Sequence, residues 1–237
     1  MRKPSISLTA EGFHSIFIFA FSTLIFALIG CWPMAVLFLL LTWFACHFFR
    51  DPERVTSTEK GVAVSPADGK VIRISNLPDP ISGETRQCIS IFMNVFSVHV
   101  NRMPVAGKIT AILYKPGRFL NASLNKASQD NERCCYAVTD ENGEVWQMVQ
   151  IAGLVARRIV CRVEEGDELK RGERYGMIKF GSRVALYITD GYTPSIMVGD
   201  RGMAGPTVRA RKADGRPGSP GFRRPPRPSP PAGTQPG

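Results

Sequence analysis

From residue 13 to residue 49 the chain runs for 37 residues without Asp, Glu, Lys or Arg. No other feature restricts the fold as strongly, because such a stretch is stable only where its side chains leave water. One bilayer span takes about 20 apolar residues, so the run is too long for one helix and short for two full spans. Gly30-Cys31-Trp32-Pro33 interrupts it near the middle, and Gly with Pro favours a turn. The pattern predicts two apolar helices, over 13–29 and 34–49, folded as a hairpin. Each would be roughly 25 Å long at the helical rise, which requires local thinning of the bilayer or an incomplete crossing. Met1-Arg2-Lys3 would suit a cleaved signal peptide, but the apolar region is too long and no small-residue cleavage site follows. Arg2 and Lys3 precede the run, and Arg50, Arg54 and Lys60 follow it. The positive-inside rule then places both ends, and everything beyond residue 50, in the cytoplasm.

The formal charge of +10 is unevenly spread. Residues 209–237 hold seven Arg or Lys against Asp214, whereas residues 50–208 hold 21 basic and 18 acidic side chains. The middle is therefore nearly balanced, and a nucleic-acid-binding face is not expected. The last segment carries eight prolines between 217 and 236 and reads as a disordered basic tail, with an electrostatic membrane tether as its favoured use. Three segments result: an anchoring hairpin over 1–49, a β-rich domain over 50–208, and the tail over 209–237. The six cysteines include no CxxC pair, and His14, His47 and His99 have no ligand-like spacing to them. Reduced thiols and no metal are expected.

The middle reads as β-structure. Short β-branched or aromatic runs occupy 62–64, 70–74, 88–92, 108–114, 136–139, 145–151 and 159–163, separated by Pro, Gly, Asn and Asp. Asn142-Gly143 is a type I′ hairpin signal. Glycines at 166, 172 and 176 between apolar residues suit tight turns in a small sandwich. Lipoyl- and biotinyl-type carrier modules have a similar rhythm. The fold expected is a mainly β, sandwich or barrel-sandwich-like domain behind a helical hairpin.

His99 is the one histidine outside the apolar run, so imidazole chemistry near neutral pH in this domain falls to it. Asp68, before Gly69, is equally consistent with a turn and with a carboxylate partner. Gly181-Ser182 is a small pair between apolar strand-like runs, where a turn is normally more polar. It is not a GxSxG elbow, since Phe180 precedes it and Val184 stands where the second glycine would be.

These segments occur in a specific order. Phe49-Arg50-Asp51-Pro52, Ser65-Pro66-Ala67-Asp68-Gly69, Val98-His99-Val100-Asn101-Arg102-Met103-Pro104, Asn131-Glu132-Arg133 and Lys179-Phe180-Gly181-Ser182-Arg183-Val184 follow the hairpin in turn. Over residues 15–205 this resembles the short bacterial-type phosphatidylserine decarboxylases, which depend on a pyruvoyl group. The resemblance implies self-cleavage between Gly181 and Ser182, leaving a β chain of 181 residues and an α chain of 56 that begins with a pyruvoyl group made from Ser182. It implies Ser182 as nucleophile, His99 as acid or base, and Asp68 as the carboxylate that orients His99. It also implies an inner-membrane enzyme, an αβ heterodimer or a higher oligomer, acting on phosphatidylserine in the leaflet. Longer relatives carry a second histidine three positions after the first; here that position is Arg102. Arg102, Arg157 and Arg158 are candidates for lipid phosphate or carboxylate by charge. Two other readings compete: a membrane-anchored carrier presenting a modified lysine such as Lys70, and a serine hydrolase that uses Ser182 uncut.

Overall fold

The predicted hairpin forms, with its helices shifted slightly toward the N-terminus. The computed structural model describes residues 7–117, 130–153, 158–179 and 182–213. Gly181, Arg157, the segment 118–129 and the tail beyond 213 lie outside these described residues. Helix α1 covers Ala10–Leu28 and α2 covers Trp32–Phe48, with Pro33 in the first turn of α2, where its missing N–H costs nothing. The 19 residues of α1 are long and apolar enough to cross a membrane, whereas α2 is shorter, at 17. Phe17, Leu28, Trp32 and Trp43 are all more than 60% exposed, so the hairpin presents apolar surface outward along its length. Its base is laced shut: the Thr9 N–H donates to the Phe49 carbonyl at 2.8 Å and the Asp51 N–H to the Ser7 carbonyl at 2.7 Å.

Past the hairpin the described chain is β-structure. The strands are β1 (Val62–Val64), β2 (Gly69–Pro78), β3 (Thr85–Met93), β4 (Val100–Arg102), β5 (Gly107–Lys115), β6 (Arg133–Asp140) and β7 (Val145–Ala152). There follow β8 (Ile159–Cys161), β9 (Glu168–Leu169), β10 (Arg174–Ile178), β11 (Ser182–Tyr187), β12 (Tyr192–Pro194), β13 (Arg201–Gly202) and β14 (Val208–Lys212). Eight form one antiparallel sheet in the order β13-β2-β3-β11-β7-β6-β5-β9. Two three-stranded sheets, β1-β14-β12 and β4-β10-β8, complete the domain.

Side-chain alternation along the large sheet sorts its two faces. Tyr136, Trp146, Met148, Val184 and Leu186 enter the main core with Ala63, Tyr175, Ile178 and Ala210 of the small sheets. Cys135, Val149, Ile151, Ala185 and Tyr187 occupy the opposite face, beneath Leu77 and Ile81. Burial on both faces explains why β11 reads as a nearly unbroken apolar run.

Two local expectations change. Residues 141–143 join β6 to β7 as a three-residue loop, with Gly143 at φ 78° and its N–H bonded to the Asp140 carbonyl at 3.0 Å. That loop replaces the two-residue type I′ turn, because the Asp140 carboxylate also takes the Asn142 and Glu144 N–H groups and so favours the longer closure. The boundary of the basic tail also moves. Arg209 and Arg211 belong to β14, which pairs with β1 and β12 and sinks Arg209 to 0% exposure. The basic composition masked a strand held by backbone ladders on both sides.

Candidate active site

Ser182 opens β11, the strand paired on both sides within the large sheet: it faces Met93 on β3 and Ala152 on β7. Its alternation is in phase with Val184 and Leu186, so its side chain points to the face on which β10 packs. The residue is fully buried, and its Oγ has no hydrogen-bond partner among the described residues. A hydroxyl left unpaired in this way costs on the order of 1–3 kcal/mol.

The Ile178 N–H of β10, four residues before Ser182, donates to the His99 carbonyl at 3.3 Å, so the chain reaches the serine directly after passing the histidine. His99 is completely buried. Its Nδ1 lies 2.9 Å from the Ser97 carbonyl, which can only accept, so Nδ1 carries the proton. Nε2 is buried and has no partner among the described residues. Burial pushes the imidazole pKa down from 6.5 to about 4, with the Ser97 bond and Asp68 opposing that shift and Arg50 adding to it. At neutral pH His99 is thus a neutral ring with its Nε2 lone pair available.

The ring is covered by the apolar hairpin itself. Phe48, at the end of α2, packs against His99 with centroids 4.3 Å apart and the rings tilted by 35°, and it shares a cluster with Ala45, Phe49 and Met177. The apolar anchor is therefore the roof over the imidazole. Phe48→Ala should admit water to the ring and move its titration from about 4 toward 6.5, read from imidazole resonances across pH. An unchanged midpoint would show that some other wall dries the site.

Asp68 behaves differently from the expectation that it orients His99. Both of its oxygens bind Arg54, one at 2.8 Å from Nη2, and Oδ1 also accepts the Ala204 N–H at 2.8 Å. The Ser97 carbonyl holds the imidazole instead, and Asp68 acts on it only through its field. The reason is Arg54, whose fork offers the carboxylate two charge-assisted bonds where an imidazole N–H offers one.

Arg102 is also committed elsewhere. It is 5% exposed and donates to the carbonyls of Gly172 and Pro52, both at 3.0 Å, and to Asp51 at 3.3 Å. It clamps the hairpin's exit to the glycine turn rather than presenting a cation to a ligand. Arg158 is exposed, and its carbonyl accepts the Lys179 N–H at 3.2 Å.

One feature escaped sequence reasoning. Tyr136 Oη donates to Gln150 Oε1 at 2.7 Å, Gln150 Nε2 donates to Asn101 Oδ1 at 2.8 Å, and Asn101 Nδ2 reaches Met93 Sδ at 3.7 Å. This buried chain ties β4, two residues past His99, to the strands that flank Ser182. Its signal was Gln150, a polar residue in phase with core Trp146 and Met148.

A buried serine hydroxyl and a buried neutral imidazole thus lie in a β domain whose apolar hairpin covers the imidazole. The family model for phosphatidylserine decarboxylase matches residues 41–210, and the chain belongs to that family. Among its relatives is the phosphatidylserine decarboxylase proenzyme of Nitratidesulfovibrio vulgaris, 66% identical over 213 residues that cover 90% of this chain and 98% of the relative. The proenzymes of Oleidesulfovibrio alaskensis and Solidesulfovibrio magneticus are 58% and 55% identical, again over 90% of this chain and over 98% and 100% of theirs.

Proposed function

We propose that this chain is a proenzyme that cuts itself before Ser182 and then decarboxylates phosphatidylserine to phosphatidylethanolamine. Family membership supports the reaction; the observation that carries the site assignment is the orphaned Ser182 Oγ on the face packed against the His99 layer. His99 Nε2 takes the Ser182 hydroxyl proton, and Oγ attacks the Gly181 carbonyl. The peptide bond becomes an ester as the Ser182 nitrogen leaves carbon and takes up the proton that His99 removed from Oγ. Loss of the Ser182 α-proton then expels the Gly181 carboxylate, and the dehydroalanine left behind takes up water and releases ammonia. The N-terminal pyruvoyl group so formed is the electron sink for loss of carbon dioxide from a serine headgroup.

The residues present suit such a group, because Ser182, whose α-carbon would become the ketone carbon, is already fully buried on a dry face. The remaining work is done by the chain. Ser97 fixes the Nδ1–H tautomer, leaving Nε2 to receive a proton during cleavage and to return one to the headgroup carbon afterwards. Phe48 excludes water, and the Tyr136-Gln150-Asn101 chain holds the two layers in register.

The exposed apolar hairpin and its flanking cations support an inner-membrane position with the β domain cytoplasmic, where the leaflet presents the headgroup. The two cleaved chains then stay together as a heterodimer, since β11 of one lies between β3 and β7 of the other. The carrier reading is disfavoured, because Lys70 lies within β2, paired to both Phe92 and Arg201, rather than at a hairpin tip. Denaturing electrophoresis with intact mass tests the proposal: an active preparation made only of an uncut 237-residue chain would refute it.

A further inference from the structure

A cavity of about 400 Å³ opens beside the His99 pocket, between the base of the hairpin and the β13 edge of the large sheet. Arg50, Lys70 and Arg201 line it, together with Asp68, Phe96 and Ser97, whose carbonyl holds the imidazole. The charges on its walls are not balanced. Lys70 and Arg201 are register partners on β2 and β13, and like charges placed directly opposite one another destabilise a sheet. Arg50 is anchored only on backbone, donating to the carbonyls of His47 and Phe96, both at 2.6 Å. The one carboxylate in the wall, Asp68, is already taken by Arg54.

A fourth cation stands behind the floor. Arg209 is fully buried, and of its guanidinium only Nε is bonded, to Ser65 Oγ at 3.0 Å. Both of its terminal nitrogens are buried without a hydrogen-bond partner among the described residues, although Asp200 and Asp68 lie near enough to act on it electrostatically. The wall between it and the cavity is Gly202, where a Cβ would sit 2.6 Å from Arg209 Nη2. Gly69, on the same rim at φ 139°, likewise leaves no room for a side chain: a Cβ there would lie 2.1 Å from the Phe92 carbonyl oxygen. Cations converging on a hollow with glycine at its rim form a site for an anion with several acceptor oxygens.

We infer that this cavity holds the phosphodiester of the serine phospholipid, with Lys70 and Arg201 as its main ligands and Arg50 as the cation on the hairpin side. The inference rests on the decarboxylase reading and adds to it the part that binds the substrate. In such a lipid one ester oxygen and one methylene separate phosphorus from the carbon that loses carbon dioxide. A phosphodiester held beside Ser97 therefore places that carbon toward His99. The cavity adjoins the end of α2, so the acyl chains can stay with the hairpin in the bilayer while the headgroup enters.

The test uses the processed full-length enzyme in non-ionic detergent and the variant K70Q/R201Q. The variant should self-cleave as the wild type does, while KM for a soluble short-chain phosphatidylserine rises by about tenfold or more. Glycerophosphoethanolamine, which carries the phosphodiester and no carboxylate, should inhibit the wild type competitively and the variant about tenfold more weakly. Inorganic phosphate should show the same ordering at higher concentration. K108Q/K170Q removes the same charge elsewhere on the domain and should leave KM unchanged.

An unchanged KM for the soluble substrate, with weaker binding to anionic vesicles, would overturn the inference and make the cations a membrane-surface patch. Should the double variant fail to fold, Lys70→Gln with Lys70→Arg as its rescue reads the same contact. Calorimetric binding of glycerophosphoethanolamine to the wild type reads the cavity without turnover. Binding without decarboxylation would count against the enzyme reading alone, and turnover without binding against the cavity alone.

Discussion

Ser182→Ala should leave a single chain of 237 residues and no decarboxylation at all. The effect is total because one residue is used twice: its Oγ first breaks the backbone, and its α-carbon then becomes the ketone carbon. Restoring a neighbouring hydroxyl cannot compensate, since the position is fixed by pairing on both sides, to Met93 and to Ala152. Ser182→Cys should process slowly, because a thiolate can attack but a larger sulfur must enter a space with no exposed surface. Denaturing electrophoresis, intact mass and release of labelled carbon dioxide check both variants. Cleavage of the alanine variant into two pieces of the expected sizes would show that another group performs the attack.

The second large effect belongs to His99. His99→Gln should slow self-cleavage by about 100-fold or more, the usual worth of a positioned base. The wild-type rate should remain flat as pH falls through 6.5 and drop only around pH 4, where the buried ring finally protonates. The stability of the fold follows the same group with a sign set by its depressed pKa. Above pH 6.5 the ring is neutral in both the folded and the unfolded chain and makes no pH-dependent contribution. Between 6.5 and 4 the unfolded chain binds a proton that the folded chain refuses, so stability falls with falling pH, by about 3 kcal/mol in all. Denaturant midpoints measured across that window, wild type against His99→Gln, isolate the term. A cleavage rate that halves near pH 6.5 would mean that the imidazole is solvated and that Phe48 does not cover it.

Most of the architecture was legible along the chain. Seven of the strands coincide with alternating or apolar runs bounded by Gly, Pro and Asp, and the Gly-Pro break divides the hairpin where α1 and α2 part. What escaped is short or mixed in composition. Strand β4 lies inside a motif that reads as a turn, β9 and β13 have two residues each, and β14 is written in basic residues. None has a pattern long enough to show a period, and each is held by the strand beside it. The site was divided in the same way. Ser182 and His99 could be named from the order of motifs, but Lys70 lies more than a hundred residues from Arg201 and Arg209, and along the chain all three look like ordinary surface cations.

The sequence alone determined that this chain has an apolar hairpin, a β-rich body and one histidine outside the apolar run, because composition and alternation act locally; the Gly181-Ser182 cleavage point came from the resemblance. Partner choice came only with tertiary structure. Asp68 went to Arg54, Arg102 to the Asp51–Pro52 exit, Ser97 took over the imidazole, and Phe48 of the anchor became its roof. Such pairings depend on the register between segments distant in the chain, where a slip of one residue turns every side chain to the other face. No local pattern carries that information.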